Sequence, residues 1–523
     1  MITLLDYGAG NVRSVINAIE RVGETVRVVR SPADILTADR LVFPGVGSFG
    51  SMMQTLRARG FVDPLRQYLG AGRPFWGICL GLQALFEESD EAPGVAGLGI
   101  LRGAVRRLPP GLSVPHIGWN GITVRQPSRL FAELAGDEKV YFVHSYHVVP
   151  EDPAVVLTTT DYGVRFVSAV QRGPMVATQF HPEKSGKTGL LMLRSFLEAS
   201  APARIPDLSS QPTRLAKRII ACLDVRANDH GDLVVTKGDQ YDVREQGAVR
   251  NLGKPVELAR RYYEEGADEI TFLNITGFRH FPLKDVPMLE VLRETSKDVF
   301  VPLTIGGGIR DFTDSSGRFT SALEVASEYF RSGADKISIG SDAVTIAEQV
   351  QHTGHATGQS AIETIARVYG NQAVVISIDP RRVYVDSPGD TPHPTIQTTT
   401  LGPRGERYCW YECTINGGRE GRNIDATTLA RVCEHLGAGE ILLNCIDRDG
   451  TGAGFDLELI QAVKAAVTLP VIASSGAGSV EHFAEVFTAT SAESALAAGI
   501  FHRREVPIEA VKEHLRGLVD VRR

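Results

Sequence analysis

The sequence predicts two α/β units in series: an open sheet flanked by helices over residues 1–200, then a (β/α)8 barrel with an internal half-barrel repeat over residues 216–523. Three observations predict it. Short apolar strands alternate with helix-capable runs along nearly the whole chain. Residues 201–215 break that alternation; three prolines and two serines fall within 201–212, with no apolar period, which is the composition of a linker. Beyond the linker, strand ends match in pairs: 221–224 (Ala-Cys-Leu-Asp) with 376–379 (Ile-Ser-Ile-Asp), 304–309 with 473–478, and 339–341 with 498–500.

Taken in order, residues 1–8 read as a strand running into a loop, which leaves no room for a signal or transit peptide. Strands at 25–29, 40–43 and 74–78 follow, separated by amphipathic runs. The barrel strands fall at 219–225, 269–276, 301–306, 336–340, 373–379, 440–446, 470–475 and 494–501, each but the last followed by a helix-capable run. Residues 311–320 and 384–422 interrupt the period and read as surface insertions, with the alternating stretch 407–413 as part of a hairpin.

At 523 residues the chain exceeds one ordinary core, and 43% apolar with 22% charged residues is a folded, globular composition. A net charge of -7 argues against nucleic acid or an anionic membrane as a general partner, while leaving room for a local phosphate pocket. No apolar run is long enough to span a bilayer. Cysteines 79, 222, 409, 413, 433 and 445 are irregularly placed and read as reduced cytoplasmic thiols. Cys409 and Cys413 lack a second Cys or His pair nearby, so no metal is expected, and no cofactor either.

Gly77-Ile78-Cys79-Leu80-Gly81 places one thiol on a glycine-flanked turn between a strand and a helix. Glycines on both sides permit the sharp turn that exposes a nucleophile, and the following helix directs its positive end at the sulfur. Such a thiol needs a base and a group to orient it, which His181 and Glu183 supply on either side of Pro182.

In the barrel, chemistry belongs at the C-terminal strand ends. Asp224 and Asp379 occupy equivalent ends, on the same strand faces as Cys222 and Ser377, and form an acid/base pair. Glycine-rich ends at Gly306-Gly307-Gly308, Gly340-Ser341, Asp449-Gly450-Thr451 and Ser474-Ser475-Gly476 offer backbone N–H cradles in both halves, implying a substrate phosphorylated at both ends.

The Cys79 and His181–Glu183 motifs together resemble the class I glutamine amidotransferases. That resemblance makes Cys79 the nucleophile, His181 the base and acid, and Glu183 the orienting carboxylate; Gly45, Val46 and Gly47 become the oxyanion strand, and Gln83 and Ser145 bind glutamine. Residues 217–224, 306–310, 334–336 and 446–451 closely resemble the cyclase of the imidazole glycerol phosphate synthases of histidine biosynthesis, in the fused form of fungi and plants. The resemblance implies that ammonia from glutamine reacts in the barrel with a bis-phosphorylated ribonucleotide, phosphoribulosyl-formimino-aminoimidazole-carboxamide ribonucleotide. It implies that the loop carrying Lys237 closes over substrate, that Arg218, Glu269, Lys336 and Glu440 ring the lower barrel mouth as an ammonia gate, and that Lys184 and Asp335 pair across the domains. Ser475 departs from the glycine common among relatives. With both activities in one chain, a monomer is expected. The rival readings are the sister isomerase of the same pathway, another glutamine amidotransferase, and a non-catalytic phosphosugar sensor. The fusion speaks against the isomerase, the barrel against a different amidotransferase, and the full set of candidate catalytic residues against a sensor.

Overall fold

The computed structural model describes residues 1–8, 10–198, 203–205, 213–228, 233–236, 244–245, 248–249, 251–275, 287–314 and 317–523. Most of the linker and Lys237 lie outside the described residues.

The first unit is built on a mixed sheet whose centre runs Val26–Val28, Ile2–Leu4, Leu41–Gly45, Phe75–Cys79, Met175–Thr178. These five strands are parallel, and antiparallel strands extend the sheet beyond Met175–Thr178. Leu41–Gly45 and Phe75–Cys79 are buried at every position, as a parallel strand covered on both faces must be. Apolar clusters cover the two faces, one around Phe43, Phe49 and Phe75 and the other around Trp76, Phe142 and Phe180.

Among the described residues, the second unit has eight parallel strands: Arg218–Ala227, Glu269–Asn274, Leu303–Gly306, Lys336–Ile339, Val374–Ile378, Glu440–Asn444, Val471–Ser474 and Ser494–Ala497. The last pairs with the first, Arg218 opposite Ser494, and closes the barrel. Inward-facing Ile220, Cys222, Val375, Leu442, Ile472 and Leu496 pack into one apolar layer across its middle. Further along the same strand faces Asp224, Ser377, Asn444 and Ser474 enter the upper mouth, and at the strand starts Arg218 and Glu440 face the lower mouth.

Three expectations need correction. The strand expected over 494–501 ends at Ala497, and Gly499–His502 is helical. In the half-repeat, Asp224 aligns with Asp379 as expected, but the other two matched pairs are shifted by one residue from the pairing that residue types suggest. Gly307 (φ 95°) aligns with Ser475 (φ 72°), both following a strand end, and Gly340 aligns with Ala498, both opening a helix with similar backbone angles. The insertion at 384–422 is more than a surface hairpin: Tyr408–Ile415 is central in a four-stranded sheet, and the turn between it and Glu420–Asp425 reaches the upper mouth of the barrel. Arg382, its side chain 4% exposed, anchors this sheet by pairing twice with Asp456, at 2.9 and 2.7 Å.

The units meet at the lower mouth through the antiparallel ribbon His116–Gly121 and Lys139–His144. Ile117, Trp119 and Tyr141 join the barrel core, while Val140 and Phe142 join the core of the first unit. Strand alternation thus lets one ribbon serve two cores. Trp119 Nε1 donates to the Asp268 carbonyl at 3.1 Å, and the Arg522 guanidinium stacks over its ring.

Candidate active site

Cys79 ends its strand at φ 54°, ψ −105°, a left-handed conformation that a side-chain-bearing residue adopts only under strain. The flanking glycines are required by space. A Cβ on Gly81 would lie 2.0 Å from the Phe43 carbonyl oxygen, and one on Gly77 would lie 2.6 Å from that of Gly81. The helix after the turn, Leu80–Gln83, is only four residues long, so its dipole supports a thiolate less than the sequence suggested. Electrostatic support comes from His181, whose Nδ1 donates to Glu183 Oε1 at 2.8 Å. Burial works against a charged imidazole, but the Glu183 carboxylate and the Cys79 sulfur outweigh it and hold the pKa well above the usual value.

Gln179 Nε2 donates to Cys79 Sγ at 3.4 Å. Gln83 Nε2 donates to Gln179 Oε1 and to the Tyr146 carbonyl, both at 3.2 Å, leaving Gln83 Oε1 as a buried acceptor without a partner among the described residues. Ser145 is half-buried next to Tyr146. Gly45 lies opposite Cys79 in the sheet register, and the Val46 carbonyl accepts from Tyr7 Oη at 2.6 Å. Gly47 (φ 125°) faces the barrel, where a Cβ would sit 2.6 Å from the Val368 carbonyl oxygen. Sequence reasoning passed over Gln179 and also Glu91, which accepts from Phe49 N at 2.8 Å just past Gly47 and whose pKa is pushed up to about 7 by burial. Gln179 was findable, since it shares a segment with His181.

At the upper barrel mouth a cavity of about 490 Å³ is walled by Asp224 and Asp379, with Gly307, Gly308, Gly340 and Ser341 from one half and Asp449, Ser474 and Ser475 from the other. Asp379 Oδ1 accepts from Asn444 Nδ2 at 2.7 Å and from Ser377 Oγ at 3.2 Å. Burial raises its pKa, and those two donors only partly offset the rise. Gly450, Thr451 and Gly476, expected to hold phosphate, do not line the cavity. Thr451 Oγ1 is turned to the Arg448 carbonyl at 2.8 Å, and a Cβ on Gly476 would meet the Gly454 carbonyl oxygen at 2.2 Å. The sequence reading missed Asn444, which its parity with Leu442 could have placed, and Arg419, carried in by the insertion.

At the lower mouth Arg218, Glu269, Lys336 and Glu440 form a closed, fully buried ring. Arg218 bonds Glu269 at 2.7 Å and Glu440 at 2.5 Å; Lys336 bonds the same two carboxylates at 2.8 and 2.7 Å. Burial opposes ionisation of Glu269, but Arg218 and Lys336 hold its pKa below the usual carboxylate value. Tyr141 Oη reaches Glu269 from the first unit at 3.2 Å. Lys184 Nζ lies 2.6 Å from Asp335 Oδ2, and Asn11 Nδ2 donates to Asp335 Oδ1 at 2.8 Å. Beside these pairs a void of about 30 Å³ touches both His181 and Lys336, enough for one water-sized molecule.

Comparison with known proteins agrees with this division. The class-I glutamine amidotransferase family model matches residues 3–199, and that of the histidine biosynthesis proteins matches residues 218–507. Among curated relatives, the chloroplastic imidazole glycerol phosphate synthase hisHF of Arabidopsis thaliana is 60% identical over 523 residues, covering 99% of this chain and 88% of the relative. The hisHF proteins of Schizosaccharomyces pombe and Emericella nidulans are each 54% identical, with 98% of this chain and 98% and 97% of the relatives covered. No helix among the described residues is long and apolar enough to cross a membrane.

Proposed function

Because the chain belongs to the family of fused imidazole glycerol phosphate synthases, we propose that its first unit releases ammonia from glutamine and that its barrel consumes it in the same catalytic cycle. Ammonia reacts with phosphoribulosyl-formimino-aminoimidazole-carboxamide ribonucleotide, giving imidazole glycerol phosphate and aminoimidazole carboxamide ribonucleotide.

Cys79 as thiolate attacks the side-chain amide carbon of glutamine, and the imidazolium of His181 gives its proton to the departing ammonia. Neutral His181 then takes a proton from water, which cleaves the glutamyl thioester. Glu183 holds the imidazole by Nδ1 throughout. Backbone N–H groups of the Gly45-Val46-Gly47 segment face the developing oxyanion, while Ser145 and the unpaired Gln83 Oε1 hold the amino acid. In the barrel, Asp224 serves as base and Asp379, whose pKa is raised by burial, as acid. One substrate phosphate sits on Gly307, Gly308, Gly340 and Ser341. The other sits on Ser474 and Ser475 beside Asp449, with Gly450, Thr451 and Gly476 shaping the loop backbones around it and Lys237 closing over substrate.

The void touching both His181 and Lys336 carries the coupling. Its contact with both His181 and Lys336 supports the reading that Arg218, Glu269, Lys336 and Glu440 act as a gate for ammonia and that Lys184–Asp335 aims the glutaminase at it. The chain acts as a monomer in the cytoplasm, joined through residues 201–215; its six free thiols support a reducing compartment. The test is Cys79→Ala. Glutamine-dependent synthesis should vanish while synthesis from ammonium salt persists. Equal loss with both nitrogen sources would reject the assignment.

A further inference from the structure

His116 and His144 are buried inside the glutaminase unit, at 0 and 2% exposure, and the chemistry above uses neither. Their hydrogen bonds run in one direction only. His144 Nδ1 faces the Tyr146 carbonyl at 2.8 Å, and a carbonyl accepts only, so Nδ1 carries the proton. His144 Nε2 is then an acceptor, which requires the proton on His116 Nδ1, 3.1 Å away. His116 Nε2 in turn accepts from Asn120 Nδ2 at 3.4 Å. Burial holds both imidazoles far below the usual pKa, so both stay neutral. The His116 ring is clamped between Tyr162, centroid to centroid 4.0 Å, and Phe142 at 4.9 Å, which fixes the start of the chain.

The end of the chain is the Tyr146 carbonyl, which also accepts from Gln83 Nε2 at 3.2 Å. That second bond decides which end of the Gln83 amide faces Gln179 and which is left unpaired. We propose that the His116–His144 pair positions the Tyr146 peptide and through it the Gln83 amide, making both histidines positioning residues for glutamine binding. The inference rests on the glutaminase reading of residues 3–199 and adds to it two residues that touch neither substrate nor thiol.

The test measures the glutamine KM, with cyclase substrate saturating, in wild type, His144→Phe, His116→Phe and His144→Gln. Losing one neutral hydrogen bond's worth of positioning should raise KM about tenfold in either Phe variant, with kcat within about threefold. Synthesis from ammonium salt should stay within about twofold, since the barrel is untouched. His144→Gln keeps a donor for the Tyr146 carbonyl and should recover most of the KM. An unchanged KM in both Phe variants would overturn the proposal, as would a parallel fall of ammonium-driven synthesis, which marks a folding role. A wild-type chain inert toward glutamine but active with ammonium salt would overturn the glutaminase reading itself.

Discussion

Ser475 stands at φ 72° where the matching position in the other half-barrel is Gly307, and a side chain in the left-handed region costs about 1 kcal/mol or more. Ser475→Gly should therefore raise unfolding stability by about 1 kcal/mol in urea titration, less a few tenths for the added freedom of the unfolded chain. No gain would mean that the Ser475 side chain offsets its own strain. Asp379 is the other single residue whose chemistry can be isolated. Its buried carboxyl, held by Asn444 and Ser377, keeps its proton to higher pH than an ordinary aspartate. Asp379→Asn keeps the shape without the transferable proton, so cyclisation should fall about a hundredfold or more with either nitrogen source. Near-normal turnover with ammonium salt would return Asp379 to a structural role. The candidate residues of the first site were legible because their neighbours are unusual: glycines around a thiol, and a proline between a histidine and a glutamate. Glu91 was not, since its role comes from partners distant in sequence, whereas Gln179 and Asn444 carried local signals, the His181 segment and the parity with Leu442, that went unread.

The barrel strands were legible as elements because each is a short apolar run, buried on both faces, between helices. Their ends were less so. The helix at Gly499–His502 begins where apolar composition alone continues a strand, and two of the three half-repeat pairs slip by one because residue types were matched rather than strand ends. The insertion's reach into the cavity depends on the Arg382–Asp456 pair, which no local pattern announces. The ring at the lower mouth makes a sharper prediction. Lys336→Met leaves two buried carboxylates facing one guanidinium, which should cost about 3 kcal/mol and release more glutamate per imidazole glycerol phosphate formed. Stoichiometry staying at parity in a folded variant would reject the gate. The His116–Gly121 and Lys139–His144 ribbon adds a pH dependence. His144 has a pKa near 3 in the fold against an ordinary 6.5, so its stabilising neutrality is complete above 6.5 and is lost as pH falls below it. Stability should therefore fall as pH is lowered from 6.5, because the unfolded chain takes up a proton that the buried imidazole refuses. His144→Gln should flatten the slope of unfolding free energy between pH 7 and 5; an unchanged slope would mean the imidazole is not buried neutral.

At the scale of the molecule, one ribbon contributes to both cores, and one void is lined by residues of both units, His181 and Lys336 among them. That arrangement could be expected from the sequence only through resemblance, because the contacts joining Tyr141 to Glu269 and Lys184 to Asp335 span more than a hundred residues each. The central claim is that ammonia travels inside. The direct measurement supplies glutamine labelled with ¹⁵N at the side-chain amide, together with an excess of unlabelled ammonium salt, and reads the isotope in imidazole glycerol phosphate. Internal passage predicts product carrying the glutamine nitrogen almost undiluted. Product labelled only in proportion to the mixed ammonia in solution would contradict it.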